Sequence, residues 1–146
     1  MVDTDARRRR YDEVLPSAIG ESRLREAESA WRTLLDRVHG DAFAGADVDL
    51  GRCFRDLLYY DFLVARALDR TAAAAGLTVM NPGTDCDAFD VDDCHRAVVE
   101  AGFDPDPGVT DPADLDALYR HTVPAATRRA FGEYYTPPGI AAVAVD

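Results

Sequence analysis

The stretch LLYYDFLVARAL, Leu57 to Leu68, decides the fold. A helix at a protein surface carries a polar face. This segment is apolar nearly all round, so it predicts a helix at the buried centre of a bundle. The helix should be long. Asp47 or Asp49 can cap its start, because an aspartate oxygen accepts hydrogen bonds from the first free backbone N–H groups. Gly76 can end it, placing its last turn near Ala75. The one acid inside the run, Asp61, is expected to pair with an arginine or face solvent rather than to serve as a buried functional acid.

The segments on either side are also helical in period. In SRLREAESAWRTLLDRVHG, Leu24, Ala27, Trp31, Leu34, Leu35 and Val38 recur at three- and four-residue steps. They predict an amphipathic helix with Trp31 as its main anchor, capped by Ser22 and ended by Gly40. Downstream, LTVMNPGTDCDA holds an Asn-Pro-Gly turn and leaves room for a short strand over Leu77 to Met80. Asp90 can cap a shorter helix bearing Val91, Cys94, Val98 and Val99, closed by Gly102. Asp111 before Pro112 is a strong helix start, since proline suits the first helical position; Leu115, Leu118 and Tyr119 line that helix. Pro124 opens PAATRRAF, which Gly132 terminates, and Thr136 before Pro137 starts a last short helix over 138–145. The expected class is all-α, a helical bundle of about four to six helices with a C-terminal tail. The RRRR of Arg7 to Arg10 lies between DTDA and YDE and reads as a frayed terminus rather than a phosphate-binding patch.

Composition sets the environment. At 146 residues the chain can form one domain that buries about 70% of its unfolded surface. It carries 27 acidic residues, 21 of them Asp, against 16 basic residues that are all Arg, with no Lys. An Asp-rich, Lys-free surface at net charge −11 points to a halophile, where strong salt screens self-repulsion; the alternative source of the Arg-for-Lys pattern is a GC-rich codon bias. The acids concentrate in residues 41–119, and residues 120–146 are relieved of them, which suits a tail that approaches other protein or an anionic ligand. Cys53, Cys86 and Cys94 form no CxxC pair, as in a reducing cytoplasm. No apolar run follows the arginines to make a secretion signal, and none approaches the ~18 residues of a membrane helix. The expected location is cytoplasmic, with no membrane partner.

Most candidate chemistry has a plainer explanation. Cys86, Cys94 and His95 beside Asp85, Asp87 and Asp92 fit no common zinc spacing, so no metal ligand is expected. His39, His95 and His121 have no nucleophile or acid at a recognisable spacing. NPGT at Asn81 to Thr84 reads as a turn.

The exception is LYRHTVPAATRRAFGEYYTPPGIAAVAVD, the final 29 residues. It resembles the segment that precedes the catalytic domain in adenine-specific DNA methyltransferases of restriction–modification and phage-defence systems. The likeness rests on Leu118, Tyr119, Pro124, Arg128, Gly132, Glu133, Tyr134, Tyr135, Thr136, Pro137, Ile140 and Ala141. It implies that Tyr134, Tyr135, Thr136 and Pro137 contact the methionine end of the cofactor S-adenosylmethionine. A threonine capping a helix that opens on prolines leaves N–H groups at a positive dipole end, a seat for a carboxylate. The resemblance further implies residues 1–120 as a helical N-terminal domain and 121–146 as the start of a methyltransferase domain. Its partners would be DNA, through the parent enzyme, and a specificity or partner subunit. The glycine-rich cofactor loop and the Asp/Asn-Pro-Pro-aromatic catalytic tetrapeptide expected to follow this element do not appear. The chain is therefore expected to be a fragment without a catalytic residue of its own. The competing expectation is a free-standing helical protein–protein interaction module.

Overall fold

The computed structural model describes residues 4–39, 48–78 and 90–130. They form six helices and no strand: α1 (Thr4–Ile19), α2 (Glu21–His39), α3 (Leu50–Ala74), α4 (Val91–Glu100), α5 (Pro112–Thr122) and α6 (Ala125–Ala130). The all-helical bundle expected from the periodicity is what the described residues build. α3 lies at its centre, against α2 and α5, while α1 packs on α2 and α4. Leu58, Tyr59, Phe62 and Leu63 are buried within it, and its edge at Asp61 and Leu68 meets solvent.

The helix ends follow local chemistry. Asp49, not Asp47, caps α3, its carboxylate accepting from the Arg52 N–H at 3.0 Å. Asp90 caps α4 by accepting from the N–H groups of Asp92 and Asp93. Asp111 and Asp114 cap α5 reciprocally, with Pro112 in the first turn. Hydrogen bonds from Thr110 and the Asp111 N–H hold the Asp114 carboxyl below its ordinary range. At the end of α4 the Phe103 N–H returns to the Val98 carbonyl and the Gly102 N–H to that of Val99. That reversal needs the left-handed φ of +88° at Gly102. It turns Phe103 into the core, 5.8 Å from the Phe62 ring and 5.9 Å from Tyr11.

Three expectations need correction. Residues 4–19 are a helix, not a frayed end. Tyr11, Val14, Leu15 and Ala18 fall at helical spacing and enter the core, which repays ordering the arginine run. Ser22 does not cap α2. Gly20 does the joining: its N–H donates to the Pro16 carbonyl, its own carbonyl accepts from Leu24, and its φ of +86° lets α2 begin at Glu21. Finally, Trp31 is only half-buried against Phe54, whereas Leu24, Ala27 and Leu35 anchor α2. The second half of the predicted stripe, Leu34 and Val38, is 55% and 66% exposed. No described helix is long and apolar enough to cross a membrane.

Candidate functional site

A gathering of polar groups lies in a cleft of about 690 Å³ between α1, the first half of α3 and the end of α5. Each element delivers its residues for a reason visible in its periodicity. On α1, Arg8 and Asp12 stand one turn apart beside the buried Tyr11. On α3, Asp56 lies three residues from both Cys53 and Tyr59, so the apolar stripe carries it inward. The end of α5 brings His121 and Thr122.

Arg8 organises the floor. Its Nη1 donates to Asp56 Oδ1 at 2.6 Å and its Nε to Asp12 Oδ2 at 3.0 Å, while its guanidinium carbon lies 5.1 Å from the Tyr59 ring centre. The Asp56 side chain is only 4% exposed. Burial pushes its carboxyl above the ordinary range, and the charge and hydrogen bonds of Arg8 pull it back only in part. One guanidinium thus serves two carboxylates. Asp56 Oδ2, Asp12 Oδ1, the Tyr59 hydroxyl and Thr122 Oγ1 are buried without a hydrogen-bond partner among the described residues. A buried polar atom left unpaired costs about 1–3 kcal/mol, so four of them in one cleft mark a site with unmet bonding capacity. Arg52 and Arg55 also line the cleft.

A second buried polar group lies across α3. His95 is 7% exposed, edge-on to Phe62, with Nε2 at 3.8 Å from Asp61 Oδ2 and neither ring nitrogen hydrogen-bonded. Burial lowers its affinity for a proton, against the opposing pull of Asp61, Asp92 and Asp69 and with a lesser contribution from Arg66 in the same direction as burial. The unfolded chain then binds a proton more readily than the fold does. Stability is full above the ordinary histidine value of about 6.5 and falls as pH drops through it toward the folded value. Thermal melts from about pH 7 to pH 5 should therefore show the midpoint falling, and His95→Gln should flatten that slope. Equal slopes in the two proteins would rule His95 out as the cause.

Tyr134, Tyr135, Thr136 and Pro137 lie outside the described residues, as do Cys86, the turn NPGT and the helix expected after Thr136. Earlier positions of the same sequence element are described. Leu118 packs against the core, the Tyr119 ring meets Tyr60 at a tilt of 59° with centres 5.0 Å apart, and Arg128 lies 5.9 Å over the Tyr119 ring. Pro124 lines the cleft, and Thr127 accepts a 3.5 Å hydrogen bond from the Cys53 thiol that ties α6 to α3. Asp61 faces solvent, its side chain 60% exposed. Cys94 is buried, which pushes its thiol up to about 12. Among the described residues no group of three or more His, Cys, Asp or Glu side chains is placed to hold a metal ion.

The sequence pattern alone does not bring Arg8, Asp12, Asp56 and Tyr59 together as a site. The available signal was Asp56 itself, an acid in register with a buried apolar stripe. Comparison of the chain with models of known protein families, with curated proteins and with solved structures found no match to any of them.

Proposed function

We propose that this chain is the helical N-terminal part of an S-adenosylmethionine-dependent adenine-specific DNA methyltransferase and is not catalytic by itself. What supports the reading is the spacing of the element from Leu118 to Ala141, with Tyr134, Tyr135, Thr136 and Pro137 as its cofactor contacts. In the parent enzyme the methyl group would pass to the exocyclic amine of adenine, and DNA and a specificity subunit would be the partners.

Affinity arithmetic gives the test. A single helix terminus contributes on the order of 1 kcal/mol to holding a carboxylate, whereas micromolar affinity requires about 8 kcal/mol. Calorimetry on the 146-residue chain should show no S-adenosylmethionine binding below roughly millimolar concentration. A protein extended along the reading frame should bind it, and Tyr135→Ala or Thr136→Ala should weaken that binding. A frame without a glycine-rich loop and a Pro-Pro-aromatic motif, or an extended protein indifferent to both substitutions, would overturn the proposal. In that event the second reading, a free-standing interaction module, takes its place. Leu34 and Val38 favour it, since they sit one turn apart on α2 and are both largely exposed.

A further inference from the structure

The cleft is a separate matter from the cofactor element and does not depend on it. We propose that the cleft between α1, α3 and α5 binds a small organic cation with N–H donors, a guanidinium or primary ammonium group, on the Asp12 and Asp56 carboxylates.

Two independent counts lead there. The first is charge. At the floor Arg8 is the one cation hydrogen-bonded to Asp12 and Asp56 among the described residues, and Arg52 acts on Asp56 only through its charge. The second is hydrogen bonding. Arg8 uses one oxygen of each carboxylate, and the other two, Asp12 Oδ1 and Asp56 Oδ2, are buried without a donor. An ionised carboxylate only accepts, so both oxygens need N–H or O–H groups from elsewhere. The hydroxyls of Tyr59 and Thr122, also unpartnered, can accept from the same ligand. The floor therefore has one hydrogen-bonded guanidinium for two carboxylates and lacks donors for two of their oxygens. A guanidinium or ammonium group entering beside Arg8 supplies those donors, through charge-assisted bonds of the kind Arg8 already makes. A free anion would meet two carboxylates at the floor and be repelled. Arg52 and Arg55 on the cleft wall give a carboxylate on the same ligand a place to rest. An amino-acid zwitterion would then bind more tightly than the bare amine.

The experiment is calorimetry on the full chain, at a salt concentration where circular dichroism shows it folded. The probes are L-arginine, agmatine and tetramethylammonium. L-Arginine and agmatine should both bind. Tetramethylammonium, which has charge but no N–H, should not. Asp12→Asn should weaken binding by roughly tenfold, the factor that loss of one charge-assisted bond gives. Asp56→Asn should do the same, and because Asp56 is buried its fold is checked by the same dichroism spectrum. The side chain of Asp12 is 37% exposed, so its variant carries the test if that of Asp56 does not fold. A tighter grip on L-arginine than on agmatine would support the carboxylate seat at Arg52 and Arg55. Failure of both N–H cations to bind, tetramethylammonium binding as well as agmatine, or binding unchanged by Asp12→Asn would each overturn the proposal.

Discussion

Phe62→Ala should lower the unfolding free energy by about 3–5 kcal/mol, the usual cost of emptying a phenylalanine site in a packed core. Phe62 has no exposed surface and sits at the centre of α3. Its ring lies 5.3 Å from Tyr11 on α1, 5.4 Å from His95 on α4 and 5.8 Å from Phe103 beyond α4. Three segments thus lose a shared contact at once, and helices that meet at a common ring cannot close the hole independently. Domains of this size are stable by only about 5–15 kcal/mol, so the variant should unfold at much lower denaturant. Urea titration followed by circular dichroism measures this. Phe62→Leu, which keeps most of the volume, should cost much less. A loss below about 1 kcal/mol for the alanine variant would mean that the three segments repack without the ring.

The centrality of α3 was legible because its run is apolar nearly all round, leaving only the edge at Asp61 and Leu68 to meet solvent. The caps of α3, α4 and α5 were legible too, since Asp49, Asp90 and Asp111 act through local geometry that no tertiary contact needs to supply. α1 was not. Its apolar face is Tyr11, Val14, Leu15, Ala18 and Ile19, preceded by four arginines and interrupted by Pro16, so charge dominated the pattern. Tertiary packing decided the matter, with Tyr11 resting 4.8 Å from Tyr59 and 5.3 Å from Phe62.

The cleft was hidden for the same physical reason. An ion pair between Arg8 and Asp56 joins residues 48 positions apart, and helical periodicity carries no information about such a distance. What periodicity does show is that Asp56 must point inward; it cannot say which cation will meet it. Asp61 drew attention instead, because it interrupts the apolar run, yet a two-residue offset from Tyr59 turns it to solvent. The stretch from Tyr134 to Pro137, proposed above as a cofactor contact, could be read only from its likeness to a family pattern.

Arg8→Ala should be among the most damaging single substitutions outside the aromatic core. Removing one partner of a buried ion pair costs about 3–5 kcal/mol, chiefly because the remaining charge is left in a poor solvent. Arg8 is partly exposed, at 20%, and Asp56 is not, at 4%, so a loss near the lower end, about 3 kcal/mol, is expected. Two further measurements separate this cause from lost packing over Tyr59. Arg8→Ala with Asp56→Asn together should be more stable than Arg8→Ala alone, since the second change removes the stranded charge. The pH dependence should agree. Without Arg8 the folded Asp56 carboxyl rises further above its unfolded value, and a raised carboxyl favours the fold below the unfolded value and loses that advantage as pH climbs through the folded one. The deficit of Arg8→Ala relative to the parent should therefore shrink as pH is lowered toward about 4. A double variant no more stable than the single, with a deficit constant in pH, would mean that water already reaches Asp56 and that Arg8 matters for its contacts with Tyr59 and Asp12.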